Sequence, residues 1–463
     1  MHPDSLAAAV AHPALGAQLS LGWVLPFVGI LLSIALLPVL SHRFWHEHYA
    51  KVSLFWAAAF AIPFLVETGD QGLHEILHIY LADYLPFVVL LWGLFTVAGG
   101  IVLRGLLPST PGANTLVLAA GTALASWMGT TGISMLLIRP FLRANAWRKE
   151  KVHLVVFFIF LVANIGGSLT PLGDPPLFLG FLHGVPFFWN FHLLPLTLVA
   201  AGIVLLVFYV IDSRHYAREL FESPSPAQMR AAPLRLDGGA NLVFFAGILG
   251  AVLLSGMWKA GTITILGVEL PRENLVRDTL ILTMGALSFR FTPEELRQAN
   301  EFSWEPIREV AILFAGIFMT IIPALAILKA GQHGALGPFL RLLDSPAHYF
   351  WASGGLSSFL DNAPTYLAFF HSLLGRFYPG LPEPQAVSRL LAEHAPHLVA
   401  VAAGSVFMGA NTYIGNAPNF MVRSIAIEAG VKMPSFLGYM LRWSIPILIP
   451  TFFIVTGLLS LYR

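Results

Sequence analysis

Residues 166–176 read GGSLTPLGDPP, and residues 408–418 read MGANTYIGNAP. At a constant offset the two stretches share two glycines, a threonine and a proline, and Asp174 corresponds to Asn416. Each stretch is polar, yet apolar segments precede and follow it. The pattern predicts a membrane helix that is broken midway, and its recurrence predicts an internal repeat.

The composition of the chain is typical of a membrane protein. Of its 463 residues, 56% are apolar and 11% are charged, whereas soluble domains carry about 25% charged residues. The net charge of +1 provides no field that would attract nucleic acid. The absence of cysteine excludes thiolate metal sites and cysteine nucleophiles. We therefore predict a multi-pass protein of the cell (inner) membrane. Its predicted partner is the lipid bilayer, and no binding of nucleic acid is expected.

A hairpin is predicted upstream of each broken helix. Arg104 and the basic segment 139–151 should both be cytoplasmic, because loops rich in Lys and Arg stay inside. Only about 25 apolar residues, 114–138, separate them, and two crossings would need about 40. The segment should therefore enter the membrane and turn back near residues 127–132. Segment 347–375 resembles it in the second half.

The predicted fold class is an all-α polytopic membrane protein with two inverted repeats, each containing a re-entrant hairpin and a broken transmembrane helix. Counting charges places the ends of the first hairpin inside and those of the second outside. Residues 1–211 are predicted to form the first repeat with peripheral N-terminal helices, 212–239 a cytoplasmic linker, and 240–463 the second, inverted repeat.

The hairpin tips and helix breaks predict an ion-binding site. Unpaired backbone groups cost several kcal/mol each in hydrocarbon, so side chains, water or a ligand must pair them. Carbonyls and hydroxyls suit hard cations such as Na⁺, whereas helix N-termini suit anions. Asp174 and Asp361 are the two carboxylates in these segments, and each could bind a cation or exchange a proton. Each could instead only cap the helix that follows it.

Two blocks resemble a known family. NIGGSLTPLGDPP at 164–176 resembles a block of NhaD-type sodium/proton antiporters, and SSFLDNAP at 357–364 resembles their second-half D-N-x-P block. The wider resemblance is to the ion transporter superfamily, which includes citrate transporters of the CitMHS type. It implies a homodimer, a scaffold of unbroken helices and an elevator-type motion of the hairpins and broken helices. The chain departs from the NhaD pattern at Met128-Gly129-Thr130-Thr131, where those antiporters carry an acidic D-N pair.

The motifs and the resemblance together define a set of candidate ion- or substrate-binding residues. They are Thr130, Thr131, Asn164, Thr170, Gly173, Asp174, Ser357, Asp361, Asn362, Thr365, Asn411, Thr412 and Asn416.

The sequence is compatible with three functions. The first hypothesis is an ion-coupled secondary transporter that exchanges sodium for protons, with these coupling ions at the same residues and no other metal or cofactor. The second is a transporter for citrate or another small carboxylate. The third rests on His74-Glu75-Ile76-Leu77-His78, which matches the H-E-x-x-H pattern of zinc hydrolases. A third ligand is not evident at a recognisable spacing, so the sequence favours a transporter over an intramembrane protease.

Overall fold

The computed structural model describes residues 15–220 and 232–462. Most of them are helical, and four short strands lie between the helices. In chain order the helices are Leu15–Gln18 (α1), Leu25–Leu40 (α2), His42–Thr68 (α3), Asp70–Ile79 (α4), Leu85–Ala98 (α5), Pro111–Met128 (α6), Thr130–Ala144 (α7), Val152–Leu161 (α8), Pro175–Leu182 (α9), Leu194–Leu220 (α10), Ala240–Met257 (α11), Arg272–Phe291 (α12), Glu294–Ala299 (α13), Glu305–Lys329 (α14), Gly337–Leu342 (α15), Pro346–Ser357 (α16), Asn362–Phe377 (α17), Glu383–Glu393 (α18), Ala395–Met408 (α19), Ala417–Glu428 (α20), Phe436–Tyr439 (α21) and Ile445–Leu459 (α22). The strands are Val102–Leu106 (β1), Ala232–Asp237 (β2), Thr262–Ile265 (β3) and Val268–Pro271 (β4).

Many of these helices are suited to a membrane. Within the described residues, eight helical segments are long and apolar enough to cross a bilayer, or up to nine if the bent pair 383–393 and 395–411 counts as one span. The prediction of a polytopic helical membrane protein is thereby confirmed. The eight segments are Leu21–Pro38, Arg43–Thr68, Asp70–Ala98, Val152–Leu169, Phe187–Glu219, Ala240–Met257, Glu305–Lys329 and Phe436–Leu459.

Two small antiparallel sheets correct the all-α prediction. Strand β1 pairs with β2, and β3 pairs with β4. Arg104 lies opposite Arg235, and Asp237 contacts both guanidinium groups at 2.6 and 2.7 Å, so the like charges are offset. Since β1 and β2 are joined, they must lie on one side of the membrane, which agrees with the cytoplasmic side that the charge pattern predicts for both segments.

Helix pairs and helix interruptions lie at the positions of the predicted hairpins and breaks, in the predicted order. Helices α6 and α7 form the first hairpin and turn at Gly129, whose φ of +78° favours glycine. Helices α16 and α17 form the second hairpin. The first broken helix is α8 and α9, and the second is α19 and α20. A proline lies at the first or second position of α9 and of α20, where its missing N–H leaves no bond unmade. The inversion of the second half across the membrane stays a prediction.

Helix α10 extends through the first residues of the predicted linker. The extension is packed by a buried charged network at the base of the first hairpin. The Nη2 atom of Arg148 lies 2.9 Å from Oδ1 of Asp212, and both side chains are 0% exposed. Arg148 also contacts Glu219, and Nε2 of His153 lies 2.9 Å from Asp212. The network ties α10 to the loop after α7 and to the start of α8.

Candidate ion-binding site

The tip of the first hairpin is bonded to the break of the first broken helix. The Ser126 hydroxyl donates to the Gly166 carbonyl at 2.5 Å, and the backbone N–H of Thr130 donates to the Gly173 carbonyl at 2.9 Å. The Thr170 hydroxyl donates to the Ser126 carbonyl. These bonds satisfy polar backbone groups that would otherwise be buried without partners.

The second hairpin is bonded to the second break in the same way. The Thr412 hydroxyl donates to the Ser358 carbonyl at 2.6 Å, which repeats the bond from Thr170 to Ser126. The Ser357 hydroxyl donates to the Ser405 carbonyl at 2.6 Å. Since Ser126 and Ser358 are equivalent, Thr130 at the first tip corresponds to Asn362 at the second.

The carboxylate of Asp174 lies where the two halves meet. Its Oδ1 atom accepts hydrogen bonds from the Thr130 hydroxyl at 3.1 Å and from Nδ2 of Asn416 at 3.0 Å. Its Oδ2 atom accepts a hydrogen bond from Nδ2 of Asn362. Asp174 is 1% exposed and Asn362 is 0% exposed. The partners are therefore the two equivalent tip residues and the repeat counterpart of Asp174 itself.

The electrostatics of this centre are those of a buried negative charge. No Lys, Arg or His in the described parts of the chain forms an ion pair with Asp174. Four helices, α7, α9, α17 and α20, begin at or just after these tip and break residues, and their N-termini partly offset the charge. The Oδ1 atom of Asn362 is buried and has no hydrogen-bond partner, so an acceptor oxygen is left over at the site. Such a centre can bind a proton or a hard cation.

Asp361 has a different environment. Its carboxylate accepts from the backbone N–H of Ala363 at 3.0 Å and caps α17. The Thr365 hydroxyl donates to the Asp361 carbonyl at 2.9 Å, within the same turn. The structure therefore gives Asp361 the capping role that the sequence left open, and Asp174 is the carboxylate that joins the halves.

The other candidate residues surround the centre in a second set of contacts. Asn164 donates to Asn419 at 2.7 Å, and Asn416 approaches Asn164 at 3.4 Å. Asn411 donates to the Ser358 hydroxyl at 2.9 Å. Thr131 follows Thr130 in α7 and is half-buried. Of the predicted set, Thr130, Asn164, Asp174, Asn362 and Asn416 are thus brought together, whereas Thr170, Ser357, Thr365, Asn411 and Thr412 bond to nearby backbone or hairpin groups.

Sequence reasoning missed Asn419, which is 0% exposed. Its Nδ2 atom donates to the carbonyls of Gly409 and Thr412 at 2.9 Å each, and so holds the second break closed. The available signal was a second asparagine three residues after Asn416, in the first turn of the helix that begins at Ala417.

Gly173 permits the closest approach within the first break, and we predict that alanine there disrupts transport. A Cβ atom at this position would lie 2.2 Å from the Gly167 carbonyl oxygen and 2.9 Å from the Ser126 Cα atom. Both are backbone atoms, so Gly173→Ala should separate tip and break, lose most transport activity and destabilise the fold by about 1–3 kcal/mol. Gly202→Ala, with nothing within 4 Å of its Cβ, is the control. Transport in proteoliposomes and thermal unfolding in detergent would measure both, and equal behaviour of the two variants would contradict the prediction.

The H-E-x-x-H motif lies away from this centre. His74 and His78 are exposed on the short helix α4, with ring centroids 6.4 Å apart. In the part of the chain that the structure describes, neither belongs to a group of three or more potential metal ligands. The geometry does not favour the protease hypothesis.

The fold is that of a multi-pass helical membrane protein. A family model, CitMHS_2, matches residues 16–460, and the family is described as "Putative citrate transport". The chain therefore belongs to this transporter family, which confirms the resemblance to citrate transporters of the CitMHS type and agrees with the prediction that the protein is not an enzyme. A search of curated proteins finds no match.

Proposed function

We propose that the protein is a secondary transporter that exchanges sodium ions for protons at Asp174. The observation that supports this proposal is a buried carboxylate with hydrogen-bond donors from both halves and no cationic partner among the described residues. An isolated ionised carboxylate is strongly disfavoured away from water. A proton and a sodium ion each remove that penalty, and they cannot do so at the same atoms together.

Competition for one carboxylate is sufficient to couple the two ions. In the arrangement described, Thr130, Asn362 and Asn416 satisfy the carboxylate with donor groups. A sodium ion would need oxygen ligands instead, which the Asp174 carboxylate, the Thr130 hydroxyl and the unpartnered Oδ1 of Asn362 can supply. Because these ligands come from both hairpin tips and the first break, ion binding would hold the two halves together.

The motion that we propose is of the elevator type, within a homodimer. The hairpins and broken helices are bonded to one another through Asp174 and the tip serines, so they would move as one unit. The unbroken helices, such as α11, α12 and α14, would form the scaffold. This arrangement and the inverted relation of the halves belong to the proposal.

Transport of citrate or a similar carboxylate is the second candidate. It is favoured by the description of the family and by a cavity of about 330 Å³ whose lining includes Arg139, Arg143, Lys151 and Glu301. This cavity lies on the predicted cytoplasmic side, where basic side chains would attract an anion. The centre itself carries the negative charge of Asp174, so a carboxylate substrate would have to enter together with cations.

Proteoliposomes distinguish the two candidates. Purified protein is reconstituted with a trapped pH-sensitive dye, and a sodium gradient is applied in one assay while labelled citrate is offered in another. Sodium-triggered pH change without citrate supports the exchanger. If labelled citrate is taken up, and the sodium gradient alone causes no pH change, the second candidate is supported and the first is refuted.

A further inference from the structure

Three potential metal ligands from distant parts of the chain meet at the predicted outer side of the protein. The side chains of His183, His371 and Glu383 offer ligand atoms that all lie within 4.8 Å of one another. His183 follows the end of α9, His371 lies in α17, and Glu383 begins α18. This cluster is separate from the centre around Asp174, and the inference does not depend on the proposed function.

His371 is the member of the cluster that lacks a partner. It is 0% exposed, and neither ring nitrogen has a hydrogen-bond partner. Buried polar groups are normally hydrogen-bonded, and one that is not indicates a missing partner such as an ion. The centroid of its ring lies 5.0 Å from that of His183, and the two planes are perpendicular.

The neighbouring charges favour a divalent cation. Nδ1 of His183 contacts Oε1 of Glu383, while Oε2 of Glu383 accepts from Nζ of Lys329 at 2.7 Å. Asp83, which is 5% exposed, lies in a π-helical turn and places Oδ1 3.3 Å from Nε2 of His183, without the geometry of a hydrogen bond. Metal binding displaces any proton from the ligating imidazoles, and the two carboxylates and one ammonium then leave a net negative charge for the cation to offset.

We propose that His183, His371 and Glu383 bind a divalent transition metal ion, with Zn²⁺ the best chemical match. Two imidazoles and one carboxylate form a known zinc ligand set, and water can take the fourth position of a tetrahedral site, while Asp83 lies on the Nε2 side of the His183 ring. Metal binding replaces the contact between His183 and Glu383 and gives the buried ring of His371 its missing partner. The ion joins the first broken helix, the second hairpin and helix α18.

The chain offers a matched test, because its H-E-x-x-H motif is a second potential source of zinc binding. Full-length protein, freed of any affinity tag and of metal by chelation, is titrated with ZnCl₂ by calorimetry, and bound zinc is counted by mass spectrometry. The wild type and the double variant His74→Gln/His78→Gln are expected to bind one zinc ion per chain and to melt at a higher temperature with zinc. His371→Leu and Glu383→Gln should each weaken binding by at least about 100-fold, because even second-shell changes cost 10–100-fold.

His371→Leu removes a buried polar group that has no hydrogen-bond partner, so it is expected to fold, and Glu383→Gln provides a second variant of nearly unchanged shape. The proposal is overturned if the wild type binds no zinc, if zinc binding survives both His371→Leu and Glu383→Gln, or if it is lost in the His74→Gln/His78→Gln variant instead.

Discussion

Replacing Asp174 with asparagine is expected to abolish sodium-triggered proton movement, so that the rate falls to that of liposomes without protein. The amide keeps the size of the side chain but can neither carry a proton nor neutralise a sodium ion. Its NH₂ group replaces one of the two carboxylate oxygens, so either the hydrogen bond from Asn362 or those from Thr130 and Asn416 are lost. The rate of dye response to a sodium pulse, in proteoliposomes of equal protein content, measures the effect.

Asp361→Asn is the matched control, since it is the same chemical change at the tip of the second hairpin. Asparagine caps helices about as well as aspartate, so the bond to the Ala363 N–H should survive and the rate should stay within about twofold of the wild type. Thermal unfolding of both variants checks that each is folded. Wild-type flux in Asp174→Asn, or equal loss in both variants, would show that the exchange does not depend on Asp174.

The Asp174→Asn variant also distinguishes the citrate candidate from the sodium/proton exchanger. If the substrate is a carboxylate that enters with cations, removing the charge of Asp174 should lower the cation requirement of uptake while transport continues. If sodium and protons compete for Asp174, no transport should remain at any sodium concentration. Measuring citrate uptake as a function of sodium concentration, in the wild type and in Asp174→Asn, therefore tests which of the two roles the Asp174 carboxylate has.

The breaks could be predicted from the sequence because their residue types are unusual at membrane depth. A cluster of glycine, proline and hydroxyl residues within an apolar run is not expected in an unbroken membrane helix, and the recurrence of the cluster strengthens the prediction. The register of the hairpins could not be predicted in this way. The tips read Trp127-Met128-Gly129-Thr130 and Phe359-Leu360-Asp361-Asn362, with no shared letters. Only the bonds from Thr170 and Thr412 to the two serines reveal that Thr130 and Asn362 are equivalent.

Other features depend on contacts that a sequence pattern does not carry. Strand β1 continues an apolar run and reads as the end of a membrane helix until its pairing with β2 is known. His183 and Glu383 are 200 residues apart, so no spacing rule brings them together. The sequence likewise leaves the choice between capping and binding open at the two aspartates, because the same residue type at the start of a helix fits both roles.

Arg148→Met is expected to destabilise the protein by about 3–5 kcal/mol, the usual effect of removing one partner from a buried ion pair. Arg148 is the cation between Asp212 and Glu219, and the side chains of Arg148 and Asp212 are fully buried. Its loss would leave these carboxylates with His153 and with amide donors such as Asn114, which lies 2.9 Å from Asp212. Thermal or denaturant unfolding in detergent would measure the change.

Arg214→Met is the control for this effect, because Arg214 is exposed on α10, the helix that carries Asp212 and Glu219, and its replacement should stay within about 0.5 kcal/mol. The double variant Arg148→Met/Asp212→Asn removes charges of both signs and should recover part of the lost stability, since unpaired buried charge is the main penalty. If Arg148→Met melts like Arg214→Met, the network does not fix the base of the first hairpin. In Arg148→Met, the Asp212 carboxylate keeps only its amide and imidazole donors, Asn114 and His153. If the double variant is less stable than Arg148→Met, these hydrogen bonds stabilise the fold by more than the unpaired charge destabilises it.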